Sequence, residues 1–245
     1  MFLVQLGAPE KTRAQFRGLD QEIGIVVGPM AFFSDYGLRY NLRTNTGNTG
    51  YGIGLVHYIR FALNDACGWN VSNPYVNDHF KLRSEFDYHR TYLKHYGEVA
   101  SANSDGGRQL RAMTAQTQIY ELGGHLEYFP FSIRDFTEMG YPFAPFVSLG
   151  ASMVRYDPET TIEPGPGIFH KFIGGINDDP GATYSVTLGG GVRYKLSWKS
   201  DLLLSFQYKY YGSDFMDGLD HDDVSNKAND GVFWLNLGYI FYLDL

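Results

Sequence analysis

No stretch of this chain approaches the ~20 consecutive apolar residues that a membrane-crossing helix needs. Cysteine occurs once, as Cys67. That excludes an internal disulfide, a cysteine-rich secreted scaffold and a multi-cysteine zinc site. Positive charge is in deficit, with 20 Lys and Arg against 27 Asp and Glu and a formal net charge of −7. Nothing here tracks a phosphate backbone, so no nucleic-acid partner is expected. There is no G-x-S-x-G nucleophile elbow, no repeat of solenoid period and no low-complexity tail. His57 and Ser84 have no spacing that predicts a catalytic triad, so the chain reads as non-enzymatic. No cofactor and no metal ligand set is expected. The apolar opening, 1–6, is too short for a signal peptide and has no basic residue ahead of it. The reading favours an export signal upstream, with Ala14-Gln15 as the tail of a cleavage region. Residues 1–19 are therefore set apart from one domain over 20–245.

Aromatics and glycine, by contrast, are plentiful: 19 Tyr, 18 Phe and 29 Gly. Mean hydropathy is only −0.26. A β-barrel fits this combination, because its strands alternate and each carries a weak hydropathy signal. Composition alone suits a soluble sandwich or lipocalin-type barrel about as well.

Period-2 alternation decides between them. Eight runs show it: 21–32, 51–63, 80–92, 117–129, 143–156, 182–196, 201–211 and 231–243. In the third, Phe80, Leu82, Phe86, Tyr88 and Tyr92 alternate with Lys81, Arg83, Glu85, Asp87 and His89. Most runs reach the roughly 9–11 residues of a tilted membrane strand, about twice an ordinary globular strand. Tyrosines on the apolar faces, among them Tyr51, Tyr120, Tyr184, Tyr194 and Tyr239, are placed like bilayer-interface girdles. The expected fold is all-β: an eight-stranded, antiparallel, up-and-down transmembrane barrel in an outer membrane, surrounded by its lipid. With both termini periplasmic, the connections 33–50, 93–116, 157–181 and 212–230 point outward. The shorter set, 64–77, 131–142 and 197–200, points to the periplasm.

Three features are candidates for function. The polar faces collect Glu22, Lys81, Arg83, Glu85, Asp87, Glu121, Glu127, Arg193, Lys195 and Lys209. Closure turns all of them inward, where eight strands leave no solute pore and opposite charges must pair. Gly24, Gly54, Gly123, Gly150, Gly189, Gly191 and Gly238 share that side and are expected to make room for Arg, Lys and Tyr side chains. The second feature is a long, aromatic periplasmic turn containing Phe131, Ile133, Arg134, Asp135 and Phe136. It either folds back on the barrel floor or docks a periplasmic partner. The third is the acidic outward loop with Asp214, Asp217, Asp220, Asp222, Asp223 and Asp230. It hints at calcium through Asp217-Gly218-Leu219-Asp220, but lacks the EF-hand order and reads as a solvated loop.

Several segments carry a family resemblance. They are Glu22-Ile23-Gly24-Ile25-Val26-Val27-Gly28 and Ser34-Asp35-Tyr36-Gly37, then His125-Leu126-Glu127-Tyr128-Phe129-Pro130 and Pro145-Phe146-Val147-Ser148-Leu149-Gly150. Gly191-Val192-Arg193-Tyr194-Lys195-Leu196, Ser213-Asp214 and Asn229-Asp230 complete the set. Together the chain resembles Bacteroidota outer-membrane barrels of the PorG type over about 20–245. The resemblance implies a scaffold in type IX secretion, anchoring periplasmic ring components. The chain departs from that pattern in its longer outward loops and in the 131–141 turn. The alternative is a ligand-binding or adhesive barrel that acts through its outward loops.

Overall fold

The computed structural model describes residues 21–37, 42–45, 47–60, 74–163, 175–220 and 229–243. The segment 1–19 lies outside them. Eight strands follow in chain order: β1 (Gln21–Phe33), β2 (Thr49–Arg60), β3 (Phe80–Lys94), β4 (Met113–Tyr128), β5 (Phe143–Ile162), β6 (Gly181–Ser197), β7 (Ser200–Tyr211) and β8 (Gly231–Leu243). Each pairs antiparallel with the next, and β1 also pairs with β8. Closure leaves no unpaired edge, which is the condition for strands in hydrocarbon.

Side chains alternate across the wall. Ile25, Leu55, Phe86, Leu122, Leu149, Leu188, Leu204 and Leu237 all point out and are exposed. Soluble monomers do not carry an apolar belt of that extent around the whole molecule. Aromatic rings border the belt. Tyr88 and Tyr120 lie 5.1 Å apart at one margin, and Phe80 with Tyr128 at 5.2 Å and Phe143 with Tyr194 at 5.1 Å mark the other. A closed, twin-girdled barrel of this kind is a transmembrane barrel of the outer-membrane type.

Two strands exceed the expected runs. β4 begins at Met113 rather than 117, β5 continues to Ile162 rather than 156, and Met113 pairs with Ile162. The apolar alternation fades there because Gln116, Gln118, Asp157 and Glu159 occupy the outward positions. The hydrogen-bond ladder continues past the lipid even though the sequence signal for it stops.

Among the described residues, five short helices sit at the ends. α1 (Leu42–Asn45), α3 (Glu98–Ser101) and α4 (Asp105–Ala112) belong to the outward connections, while α2 (Pro74–His79) and α5 (Ile133–Thr137) belong to the periplasmic ones. The expected Arg, Lys and Tyr side chains are not the nearest neighbours of any of the seven inward glycines. Gly150 lies against His125, and Gly54 against the Asp87 carboxylate.

Candidate functional site

The ten charged residues expected in the interior are all buried there. They form a column of ion pairs along the barrel axis. Near the periplasmic floor, Glu22 bonds Lys81 and accepts from Arg193 at 2.5 Å. Arg193 also reaches Glu127 at 3.8 Å and Asp201 at 3.6 Å, and Lys195 meets Asp201 at 3.2 Å. Midway, Arg83 bridges Glu85 at 2.5 Å and Glu127 at 3.0 Å. Toward the outer mouth, Lys209 joins Asp87 at 2.6 Å and Glu121 at 3.1 Å. The Tyr211 hydroxyl donates to Glu121 at 2.6 Å.

Sequence reading missed part of this set. Asp201 has the inward parity of Ser205, Gln207 and Lys209 on β7, which is the signal that places it inside. His125 lies 3.5 Å from Glu85 and His89 lies 3.7 Å from Asp87. Gln207 donates to Glu85 at 3.2 Å. Six carboxylates (Glu22, Glu85, Asp87, Glu121, Glu127, Asp201) thus face five Lys and Arg side chains, with the two histidines beside them. Aromatic rings cover the cations. Arg193 lies 4.0 Å over Tyr58, and Lys209 lies 5.2 Å from the centre of the Trp234 ring. A barrel filled in this way is a cross-braced rod and not a conduit.

The periplasmic turn folds back onto the floor. Ser132 caps α5 by accepting the Asp135 N–H at 3.2 Å. One helical turn then sets Ile133 and Phe136 on the same face, and both are buried. Phe136 covers Lys195 at 5.1 Å, and Phe129 packs on Phe146 at 5.4 Å. Of the five residues expected to dock a partner, Ile133 and Phe136 are therefore unavailable: their apolar side chains close the barrel. Phe131, Arg134 and Asp135 do face out. Asp78 on α2 accepts the Arg134 N–H at 3.2 Å, and Tyr141 donates to the Ser132 carbonyl at 2.6 Å. A cavity of about 370 Å³ opens beside α5, with Arg134, Glu138, Trp198 and Tyr242 in its wall.

The acidic outward loop is solvated only in part: Asp220 is exposed and Asp214 half-buried. Asp217 and Asp230 are buried. Asp217 accepts N–H bonds from Asp35 at 3.0 Å and Leu219 at 2.9 Å, and Asp230 accepts one from Met216 at 3.0 Å. Burial pushes the Asp217 carboxyl up to about 7. Burial and the charges of Asp217, Asp35 and Asp214 hold Asp230 well above the usual carboxylate range. Tyr36 stacks on His95 at 4.4 Å, and Ile176 bridges to Leu219. The segments Ser34-Asp35-Tyr36-Gly37, Ser213-Asp214 and Asn229-Asp230, quoted for the family resemblance, thus meet in one lid over the outer mouth. Asp222 and Asp223 lie outside the described residues. Among the described residues no cluster of His, Cys, Asp and Glu suits a metal ion.

His57 and Ser84 are cross-strand partners on the lipid face. His57 bonds Gln21 at 3.0 Å. No hydrogen bond joins it to Ser84.

No protein-family model matches the chain, and no curated protein matches it. Among solved structures it is similar to neisserial surface protein A, at 16% identity and TM-score 0.47, covering 90% of this chain and 96% of that one. A major outer membrane protein from Thermus thermophilus gives 12% identity and TM-score 0.47, with 91% and 99% covered. OprG from Pseudomonas aeruginosa gives 12% and 0.44, with 91% and 97% covered. Likenesses this distant carry no argument about the chain. Its own closed sheet, apolar belt and paired girdles make it an outer-membrane β-barrel.

Proposed function

We propose that this barrel is a non-enzymatic anchor for a cell-envelope complex, with the partner seated at the periplasmic end. One observation carries the reading: that end is built up where small barrels ordinarily have short turns. α2 and α5 brace each other and leave Phe131, Arg134 and Asp135 facing the periplasm beside the open cavity. The type IX secretion machinery is the complex to which the PorG-type resemblance points. The filled interior fits a scaffold, since a rod braced by buried ion pairs holds its end surfaces in fixed geometry.

A photo-crosslinking residue in place of Phe131 or Arg134 tests this in intact cells. The expected outcome is an adduct with a periplasmic ring component at these positions and none at Leu149. Lipid adducts alone at all three positions would end the anchoring reading.

A second reading is an adhesive or ligand-binding barrel. The polar extension of β4 and β5 beyond the belt favours it. Deleting the tips of 157–181 and 212–230 separates the two: adhesion fails in the truncated protein, whereas anchoring survives.

A further inference from the structure

The lipid face carries charge at one place among the described strand residues. Among the described strand residues, outward-pointing charge occurs only on the outer ends of β3 and β5: Arg90, Lys94, Arg155, Asp157 and Glu159. Arg155 and Arg90 are the first of these met on leaving the apolar belt. Met153, 78% exposed, precedes Arg155 on the outward face, and Tyr88 precedes Arg90.

The ladder places the two arginines on either side of β4. Tyr88 pairs with Tyr120, which pairs with Arg155, and Arg90 pairs with Gln118 one outward position higher. Two strand spacings and one outward position separate their backbones, roughly 12 Å, which two long side chains can span. Gln116 and Gln118 lie between them. Gln116 uses its carboxamide oxygen to accept from Arg90 at 2.9 Å, and Gln118 uses its own to accept the Tyr88 hydroxyl at 3.1 Å. Arg90 lies 5.6 Å over the Tyr92 ring, which orients it without neutralising it. Arg155 makes no hydrogen bond or ion pair with any described residue. Asp157 and Glu159 face out on β5 opposite Gln118 and Gln116, so Asp157 is level with Arg90 and Glu159 lies one outward position higher.

Two guanidinium groups therefore flank β4 at the level where headgroups begin. A cation at the belt margin without a carboxylate partner is costly unless the membrane supplies an anion. Guanidinium forks match phosphate oxygens in geometry as well as charge. We propose that Arg90 and Arg155 bind the phosphate of an outer-leaflet lipid headgroup and fix that lipid at the β3–β5 face. Nothing in this depends on the anchoring role.

The full-length barrel, folded into phosphatidylcholine vesicles containing a minor fraction of bis-phosphorylated lipid A, provides the test. After gentle detergent extraction, the retained lipid is counted by mass spectrometry of the intact complex. The same is done with the dephosphorylated lipid. The wild type is expected to retain the phosphorylated form roughly tenfold better. The R90Q/R155Q variant is expected to lose that preference, while K199Q in the periplasmic turn keeps it. Faster gel migration without boiling shows that each variant is folded. Equal retention of the two lipids by the wild type would overturn the proposal without recourse to any variant. So would an unchanged preference in the folded double variant. Complete displacement by inorganic phosphate alone would assign the donors to the free ion and reject the lipid.

Discussion

Arg193 and Arg155 stand on opposite faces of the same barrel wall, and their surroundings could hardly differ more. Arg193 points in, among Glu22, Glu127 and Asp201, with the Tyr58 ring against its guanidinium. Arg155 points out and meets no carboxylate among the described residues. Inside, charge is tolerated because the opposite charge is packed against it within the barrel. Outside, it is tolerated only at the margin, where the membrane surface supplies the counter-charge. The lid offers a third solution. Asp217 and Asp230 are buried without a bonded cation among the described residues and rely on backbone N–H groups and raised proton affinity. Burial of an ionisable group thus has three different compensations in one small molecule.

The comparison can be broken most forcefully at Arg193. Arg193→Ala leaves three buried carboxylates short of a cation and should cost about 3–5 kcal/mol in urea unfolding from vesicles. A loss under about 1 kcal/mol would mean that the column is not held by ion pairing. On the other face, Leu149→Arg sets a charge into the belt at a side chain that is 60% exposed. In lipid the expected cost is about 2–4 kcal/mol, whereas an ordinary water-facing site would register within about 0.5 kcal/mol. The same unfolding titration distinguishes them. At the top of the column, a Cβ at Gly52 would come within 2.9 Å of the Trp234 indole. Gly52→Val should therefore destabilise by about 1–3 kcal/mol through overpacking.

The lid should respond to pH instead. Asp217 has its carboxyl raised in the folded state, from 3.8 to about 7. The folded lid then holds a proton that the opened lid releases, so its stability is fully present below the lower value and lost as pH rises through the upper one. Proteolysis at 213–220 should be slower at acid pH and accelerate toward and above neutrality, and Asp217→Asn should flatten that slope. A slope of opposite sign would show that the lid depends on ionised carboxylates. The smallest effect is expected at Arg155. In detergent, Arg155→Gln should leave stability within about 0.5 kcal/mol, which isolates its role to the lipid if lipid retention falls.

Much of this architecture is legible from local pattern. The run 231–243 coincides with β8 end to end, and 80–92 lies wholly within β3, because period 2 with bulky apolar residues is a local property of the backbone. Parity likewise sorts the ten interior charges from the lipid face without knowledge of any contact. The legibility ends where the outward face is no longer in lipid, which is why the outer ends of β4 and β5 read as loop in the sequence. It ends again at α5, where a 5-residue helix rather than a strand turns Ile133 and Phe136 into the floor. In the lid, the sequence points to a solvated Asp217, and tertiary cover from residues as distant as Asp35 reverses that expectation.

Sequence by itself determined that eight strands form, which of their faces is apolar, and that the charged face must be enclosed. Those properties depend on neighbours one and two residues apart. Which cation meets which carboxylate was decided only by closure. Glu22 of β1 finds Arg193 of β6, and Asp87 of β3 finds Lys209 of β7. These partners lie across the lumen, 171 and 122 residues apart in sequence. Their meeting depends on how every intervening strand is registered, a sum over the whole ring that no local period encodes.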